Sequence, residues 1–198
     1  MARDMGPVLK KCRSLGIEPQ YLGIDKKSNR NPRRSRGKLS EYGLQLREKQ
    51  KAKFIYGVLE RPFRNYFDKA AKLRHGTTGE NLIISLELRL DNIVFRLGFG
   101  RTRKEARQIV DHKHISVNGK TVNIPSYSVK EGDVIEIREK YRTAQRYKDV
   151  LEVTEGRAVP EWLEVDHENL KGVVKEVPSR EVIDVPVDEM LIVELYSK

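Results

Sequence analysis

The chain has 198 residues, with 39 Lys/Arg against 29 Asp/Glu and a formal net charge of +10. That length suits one or two compact domains, and 38% hydrophobic residues beside 34% charged ones favour two small cores over a single large one. No stretch approaches the roughly 20 apolar residues needed to span a bilayer. The start, MARDMGPVLKK, has no apolar run of signal-peptide length, and the lone Cys12 excludes an intrachain disulfide and a zinc site built on several cysteines. A cytoplasmic protein without metal or other cofactor is the expectation.

Charge is unevenly distributed. Residues 1–53 carry a net +10, residues 54–148 a net +8 and residues 149–198 a net −8. A positive field of this size draws a polyanion, and nucleic acid fits better than an anionic membrane surface.

In chain order, residues 1–38 read as a weakly structured, partly extended basic arm. Asp25 to Lys38 (DKKSNRNPRRSRGK) is polar and aperiodic, so it cannot bury enough apolar surface to offset ordering and should fold only on a polyanion. Arg33, Arg34 and Arg36 suit phosphate through their planar fork of donors. Residues 44–56 predict a helix with a basic face, closed by Gly57. Pro62 suits a helix start, and Phe63, Tyr66, Phe67 and Ala70 follow at helical spacing, better read as core than as a base-stacking platform. Thr77 and Glu80 fit a capping box. Leu82, Leu86, Leu90, Ile93 and Leu97 then predict one continuous helix closed by Gly98 and Gly100, with Arg89 and Arg96 on its exposed side.

Thr102 and Glu105 fit a second capping box at the head of RKEARQIV. Here Ala106, Ile109 and Val110 should face inward, and Arg103 and Arg107, four apart, should share an exposed face beside Lys104. Ile115 and Val117 alternate as a strand, Asn118-Gly119 is a hairpin signal, and Val122 and Ile124 answer on the return strand until Pro125. Gly132-Asp133 makes another turn before a third strand containing Ile135 and Ile137. Residues 141–153 are a helix or an irregular connector. Trp162 reads as a packing anchor, and MLIVELY near the end as a strand or a docked extended piece.

Chemistry is hard to place in this chain. There is no GxxxxGK[ST] loop and no recognisable nucleophile motif. GFGRTR lacks the full dinucleotide fingerprint and a preceding strand. Asp91 is better explained as the salt-bridge partner of an arginine than as a general base. His75, His112, His114 and His167 are too scattered for a metal site. The expectation is a non-enzyme. The basic helix, the His112–His114 turn and the narrow Asn118-Gly119 hairpin suit the phosphate and shape recognition typical of RNA binding.

Four separated motifs carry a family resemblance: LSEYGLQLREKQKAKFIYG at 39–57, RLDNIVFRLGFGRTRKEARQIV at 89–110, HKHISVNGKTVNIPSYSVKEGD at 112–133 and DEMLIVELYSK at 188–198. Over essentially its full length the chain resembles the bacterial small-subunit ribosomal protein 4 family. That resemblance implies an α+β fold: a mainly helical first domain, with an inserted small α/β RNA-binding domain of two helices packed on a small antiparallel sheet, plus the basic N-terminal arm. The implied limits are 1–38 for the arm, 39–88 completed by 171–198 for the helical domain, and 89–170 for the inserted one. It also implies binding to the 5′ domain of small-subunit rRNA at a multi-helix junction, an early role in subunit assembly, contact with small-subunit ribosomal protein 5, proximity to mRNA at the entry side, and an influence on decoding accuracy. Some members repress their own messenger.

Carried onto this chain, the rRNA-contacting residues are Arg33, Arg34, Arg36, Arg47, Lys49, Lys51, Arg64, Arg101, Arg103, Lys104 and Arg107. Arg3, Lys10, Lys11, Arg13, Lys38, Lys72, Arg89, Gln108, His112, His114 and Asn118 complete the RNA-facing set. Some family members hold zinc with four N-terminal cysteines; here only Cys12 matches, so the implied form is zinc-free. Pro62 replaces an expected polar residue, harmlessly at a helix start. An RNA-modifying enzyme built on the same small module would need a large catalytic domain, for which the residues after the module are too few. A stand-alone RNA-binding factor or translational repressor acting on mRNA is the other alternative, although it would need neither the arm nor the 39–57 helix.

Overall fold

A computed structural model describes residues 6–26, 30 and 39–197. The chain divides into two compact units, one of residues 1–83 with 184–198 and one of residues 84–183.

The first unit is helical. Its first element contradicts the expectation of a weakly structured start. Helix α1 (Val8–Leu15) ends at Gly16 in the left-handed conformation, and a 3-10 turn follows at Pro19–Leu22. Cys12, Ile17 and Leu22 are buried, so residues 8–22 have enough apolar surface to fold. The remainder of the predicted arm, at 27–29 and 31–38, lies outside the described residues. Helix α2 (Glu41–Tyr56) is capped by the Ser40 hydroxyl, which accepts from Gly43 N–H, and closes at Gly57 (φ 63°). Helix α3 (Glu60–Ala71) starts two residues before Pro62. Proline is nevertheless tolerated there, because N–H groups of a first turn have no intrahelical acceptor.

The end of the chain, expected as a strand, is helix α9 (Glu189–Tyr196). The Asp188 carboxylate caps it by accepting from the Met190 and Leu191 N–H groups. It packs on α2. Gln45 reaches Glu194 at 3.0 Å, and Tyr196 stacks beside Phe63 and Phe67 with ring centroids 6.4 and 4.6 Å away. A continuous apolar run satisfies either a helix or a strand; among the described residues no strand lies beside it, and a helix bonds its own backbone. Ile192 is fully buried, a contribution of about 1.5–3 kcal/mol.

Helix α4 (Thr78–Glu87) starts at the predicted capping box. Glu80 N–H donates to the Thr77 hydroxyl at 3.2 Å, and Thr77 N–H donates to the Glu80 carboxylate at 3.1 Å. The predicted long helix then breaks. Arg89 is extended (φ −70°, ψ 137°), and α5 (Leu90–Arg96) starts afresh. Leu88 and Arg89 instead meet the segment around Ser128: Val129 N–H donates to Leu88 O at 2.9 Å, and Leu90 N–H to Tyr127 O at 2.9 Å.

The second unit stacks α5 and α6 (Arg103–Asp111) against an antiparallel sheet. The sheet contains β1 (Ile115–Val117), β2 (Lys120–Thr121), β3 (Val134–Ile137), β4 (Leu163–Asp166) and β5 (Lys171–Val174) in the order β2-β1-β3-β5-β4. The short helices α7 (Glu139–Arg142) and α8 (Gln145–Thr154) come between β3 and β4. Asn118 (φ 49°) and Gly119 (φ 76°) both adopt positive φ, as a type I′ hairpin requires. The return strand is shorter than expected, and Ile124 is exposed. The predicted limit at residue 170 falls within the β4–β5 hairpin, and β5 pairs with β3 through Val134–Val173 and Ile135–Gly172. Ile93, Leu97, Ile109, Ile115, Ile135, Ile137, Trp162 and Val174 share one buried cluster. A Cβ on Gly172 would lie 2.5 Å from both Leu97 methyls. Gly172→Ala should therefore destabilise the protein by about 1–3 kcal/mol through overpacking, measured by urea unfolding; an unchanged midpoint would contradict this packing.

Candidate nucleic-acid interface

In the second unit, the strongest cationic motif is divided between inside and outside. Glu87, Arg89, Asp91, Asn92 and Arg103 are all buried. Arg89 makes a bidentate pair with Asp91, at 3.0 Å through Nε and 2.6 Å through Nη2. Asn92 Nδ2 donates to the Glu87 carboxylate at 2.6 Å, while its Oδ1 accepts from Arg103 Nε at 2.8 Å. Arg96 reaches the same Glu87 carboxylate at 2.9 Å. Arg103 also lies over the Phe95 ring, 4.3 Å from its centroid, and Arg107 approaches Asp91 at 3.8 Å. The shared exposed face expected for Arg103 and Arg107 is therefore incorrect. Arg103 is 8% exposed and Arg89 is 3% exposed, and Arg96 is partly buried rather than displayed on a free face. Asp91 is indeed an arginine partner.

The side of α6 that faces solvent is one step round. Lys104 and Gln108, four apart on the helix, are exposed neighbours, with Arg101 exposed just before the helix and His112 exposed at its C-cap. Thr102 accepts from Glu105 N–H at 3.2 Å, and the Glu105 carboxylate accepts from Arg101 N–H at 2.9 Å. This fixes the entry into α6 and hence the aim of Lys104. Gly100 allows that approach, since a Cβ there would lie 2.9 Å from Ala106 N. Asn118 braces the hairpin, because its amide donates to Asp133 at 2.8 Å and its oxygen accepts from Val134 N–H at 2.9 Å. His114 is partly buried. Its Nδ1 is 2.7 Å from the Tyr147 hydroxyl and its ring stacks on Tyr141 at 3.8 Å.

In the first unit, much of the basic face of α2 serves the fold. Arg47 Nε donates to Leu15 O at 3.2 Å, tying α1 to α2. Lys49 and Lys53 both bind Glu60, at 2.9 and 2.6 Å, and Lys51 binds Glu48 at 2.6 Å. Lys11 covers the Phe54 ring at 5.8 Å, and Arg13 is half-buried, while Lys10 is exposed. Helix α3 turns Arg61, Arg64, Lys69 and Lys72 outward. Arg61 and Lys69 were not singled out from the sequence, yet they lie away from buried Phe63 and Ala70, and that spacing was available to reveal them. Arg3, Arg33, Arg34, Arg36 and Lys38 lie outside the described residues.

Cys12 is buried, and that burial raises its thiol pKa. Among the described residues no group of three or more His, Cys, Asp or Glu side chains could hold a metal, and no helix is long and apolar enough to cross a membrane.

Two family models match this chain. The Ribosomal protein S4/S9 N-terminal domain matches residues 3–87, and the S4 domain matches residues 88–135. The chain is 76% identical to the small ribosomal subunit protein uS4 of Lachnoclostridium phytofermentans, 71% to that of Lachnospira eligens and 53% to that of Natranaerobius thermophilus, in each case across the whole of both chains.

The buried network and the exposed stripe should respond differently to charge reversal. Arg103→Glu should unfold or strongly destabilise the second unit, because breaking a buried ionic network costs about 3–5 kcal/mol. Lys104→Glu, at an exposed position, should lower the unfolding midpoint far less, and equal midpoints for the two variants would refute the buried assignment. Glu60 supplies a pH test. Burial would raise its carboxyl pKa, but hydrogen bonds from Lys53, Lys49 and Tyr196 outweigh that and hold it at about 2, below its ordinary 4.5. A depressed carboxylate stabilises the fold above its unfolded pKa and loses that contribution as pH falls through the folded one. The stability deficit of Glu60→Gln should thus be largest near neutrality and shrink between pH 4.5 and about 2 in acid-titrated unfolding. A deficit independent of pH would show that the Glu60 charge has no part in it.

Full-length similarity, both family models and the mixed helical and α/β architecture agree: the chain belongs to the ribosomal protein S4 (uS4) family, whose members are structural RNA-binding proteins rather than enzymes, and it is a cysteine-poor form.

Proposed function

We propose that the protein is a structural constituent of the small ribosomal subunit, located in the cytoplasm, and that it binds small-subunit rRNA directly. On this reading it grips the 5′ domain at a multi-helix junction, nucleates subunit assembly, and supports translational accuracy with ribosomal protein 5 near the mRNA entry side. The carrying observation is the 76% identity, end to end, to a small ribosomal subunit protein uS4. The surface chemistry is compatible with it. Arg61, Arg64, Lys69 and Lys72 on one unit, and Arg101, Lys104, Gln108 and His112 on the other, are exposed donors. Those in the predicted RNA-facing set that are buried or engaged in the fold, such as Arg89, Arg103, Arg47 and Asn118, position these groups rather than contact RNA themselves. The second unit acts as the inserted RNA-binding domain, and the basic segment containing Arg33, Arg34 and Arg36 adds phosphate contacts.

The test is a titration of the full chain with the 5′ domain of small-subunit rRNA and with an unrelated structured RNA of equal length, at several salt concentrations. A preference for the 5′ domain that survives moderate salt is expected. Replacing Lys104 or Arg64 with Glu should lower the salt slope by about one per lost phosphate contact. Equal binding to both RNAs, lost steeply with salt, would leave only a polycation and refute a site-specific rRNA role.

A further inference from the structure

A second cationic surface lies at the far end of α6, and most of it falls beyond residue 135, where the S4-domain match ends. Lys113 there is exposed and has φ 62°. The left-handed region costs an ordinary L-residue about 1–2 kcal/mol and costs glycine almost nothing. A lysine in that conformation is poorly explained by the turn alone. Its ammonium group has no carboxylate partner among the described residues.

The surroundings hold this lysine in a fixed frame. Arg138 donates from its guanidinium to Lys113 O at 3.1 Å, and Arg138 N–H donates to His114 O at 2.9 Å. Tyr141 lies flat on His114, with centroids 3.8 Å apart and planes 4° apart, and Tyr147 anchors the other edge of that imidazole. Lys140 sits over the Tyr141 ring, 4.6 Å from its centroid. Nearby acids are mostly occupied: Glu136 pairs with Arg142 at 2.9 Å and Glu105 with Arg146 at 3.2 Å, leaving Glu139 as the exposed carboxylate of α7. Burial, followed by the charges of Arg146, His112, Lys140 and Arg138, lowers the His114 pKa.

We propose that Lys113, Arg138 and Lys140, mounted on the Tyr141–His114 stack, form a further RNA-backbone contact that takes adjacent phosphates. Lys113 supplies a point charge, Arg138 supplies a guanidinium held on the Lys113 carbonyl, and the Tyr141 ring carries Lys140. This rests on the RNA-binding reading above. It adds a phosphate-binding surface that adjoins the exposed residues of α6 at His112, whose ring lies 6.4 Å from that of His114.

The experiment uses the full-length chain and the 5′ domain of small-subunit rRNA as probe, comparing the parent with Lys113→Gly, Lys140→Ala, their double variant and Lys113→Arg. Because glycine relieves the left-handed strain, Lys113→Gly should keep or raise the thermal midpoint while weakening binding. The double variant should lose about tenfold or more in affinity and about two in salt slope, and Lys113→Arg should bind like the parent. Parental affinity and slope in the double variant would overturn the proposal. So would a lower midpoint for Lys113→Gly that accounts for its weaker binding. A parent that shows no preference for this RNA would refute the rRNA reading instead.

Discussion

The buried contacts among Glu87, Arg89, Asp91, Asn92 and Arg103 hold the second unit in its observed form. They draw charged side chains out of water, which is tolerable only when each is paired and hydrogen-bonded. Arg89 can chelate Asp91 only because the chain leaves the helix at Arg89, and that departure lets Leu88 and Leu90 pair with the segment at 127–129. Asn92 passes the constraint on, linking Glu87 at the end of α4 to Arg103 at the start of α6. Arg157 then seals the α5–α6 connection by donating to the Phe95, Gly100 and Arg101 carbonyls, and it also lies over the Phe95 ring that Arg103 covers. An apolar core alone would hold these elements together, but the polar network sets their angles.

Cations in this molecule therefore have two occupations. Arg89, Arg103, Arg47, Lys49 and Lys53 are spent within the fold, against carboxylates, carbonyls or rings. Lys104, Arg64, Lys72 and Lys113 are instead exposed on the surface. The inward group makes the outward group rigid. Glu105 illustrates the coupling: one carboxylate oxygen closes the Arg101 turn and the other receives Arg146, so α6 is held at its start. Preorganised cations lose less side-chain entropy when they meet phosphate.

Local rules in the sequence were dependable where the chemistry is local. Thr77 with Glu80, Thr102 with Glu105, and Asn118 with Gly119 each specify their own turn, and each forms. What failed was any inference needing tertiary partners. The apolar spacing from Leu82 to Leu97 stays in helical register across the break, so periodicity conceals it; the dense polar run at 87, 89, 91 and 92 was the available warning. Four-residue spacing showed that Arg103 and Arg107 share a side but not which side is buried. The strands at 163–166 and 171–174 were missed, because β4 is an edge strand whose exposed residues are charged and β5 is a four-residue KGVV with no alternation. The end of the chain was ambiguous as an apolar run, although Asp188 stands at the N-cap position that would have favoured a helix.

Helix α9 lies on α2 although some 130 residues separate them in the chain. During synthesis the second unit is complete once residue 183 has emerged, whereas the first unit waits for the last few residues. The α/β unit can therefore form while the helical unit still lacks its closing helix. Until Tyr196 arrives, Glu60 lacks one of its three donors and Phe67 lacks its aromatic neighbour. The nascent chain therefore passes through a stage in which its amino-terminal apolar surface is open, and a premature stop near the end would prolong that stage indefinitely.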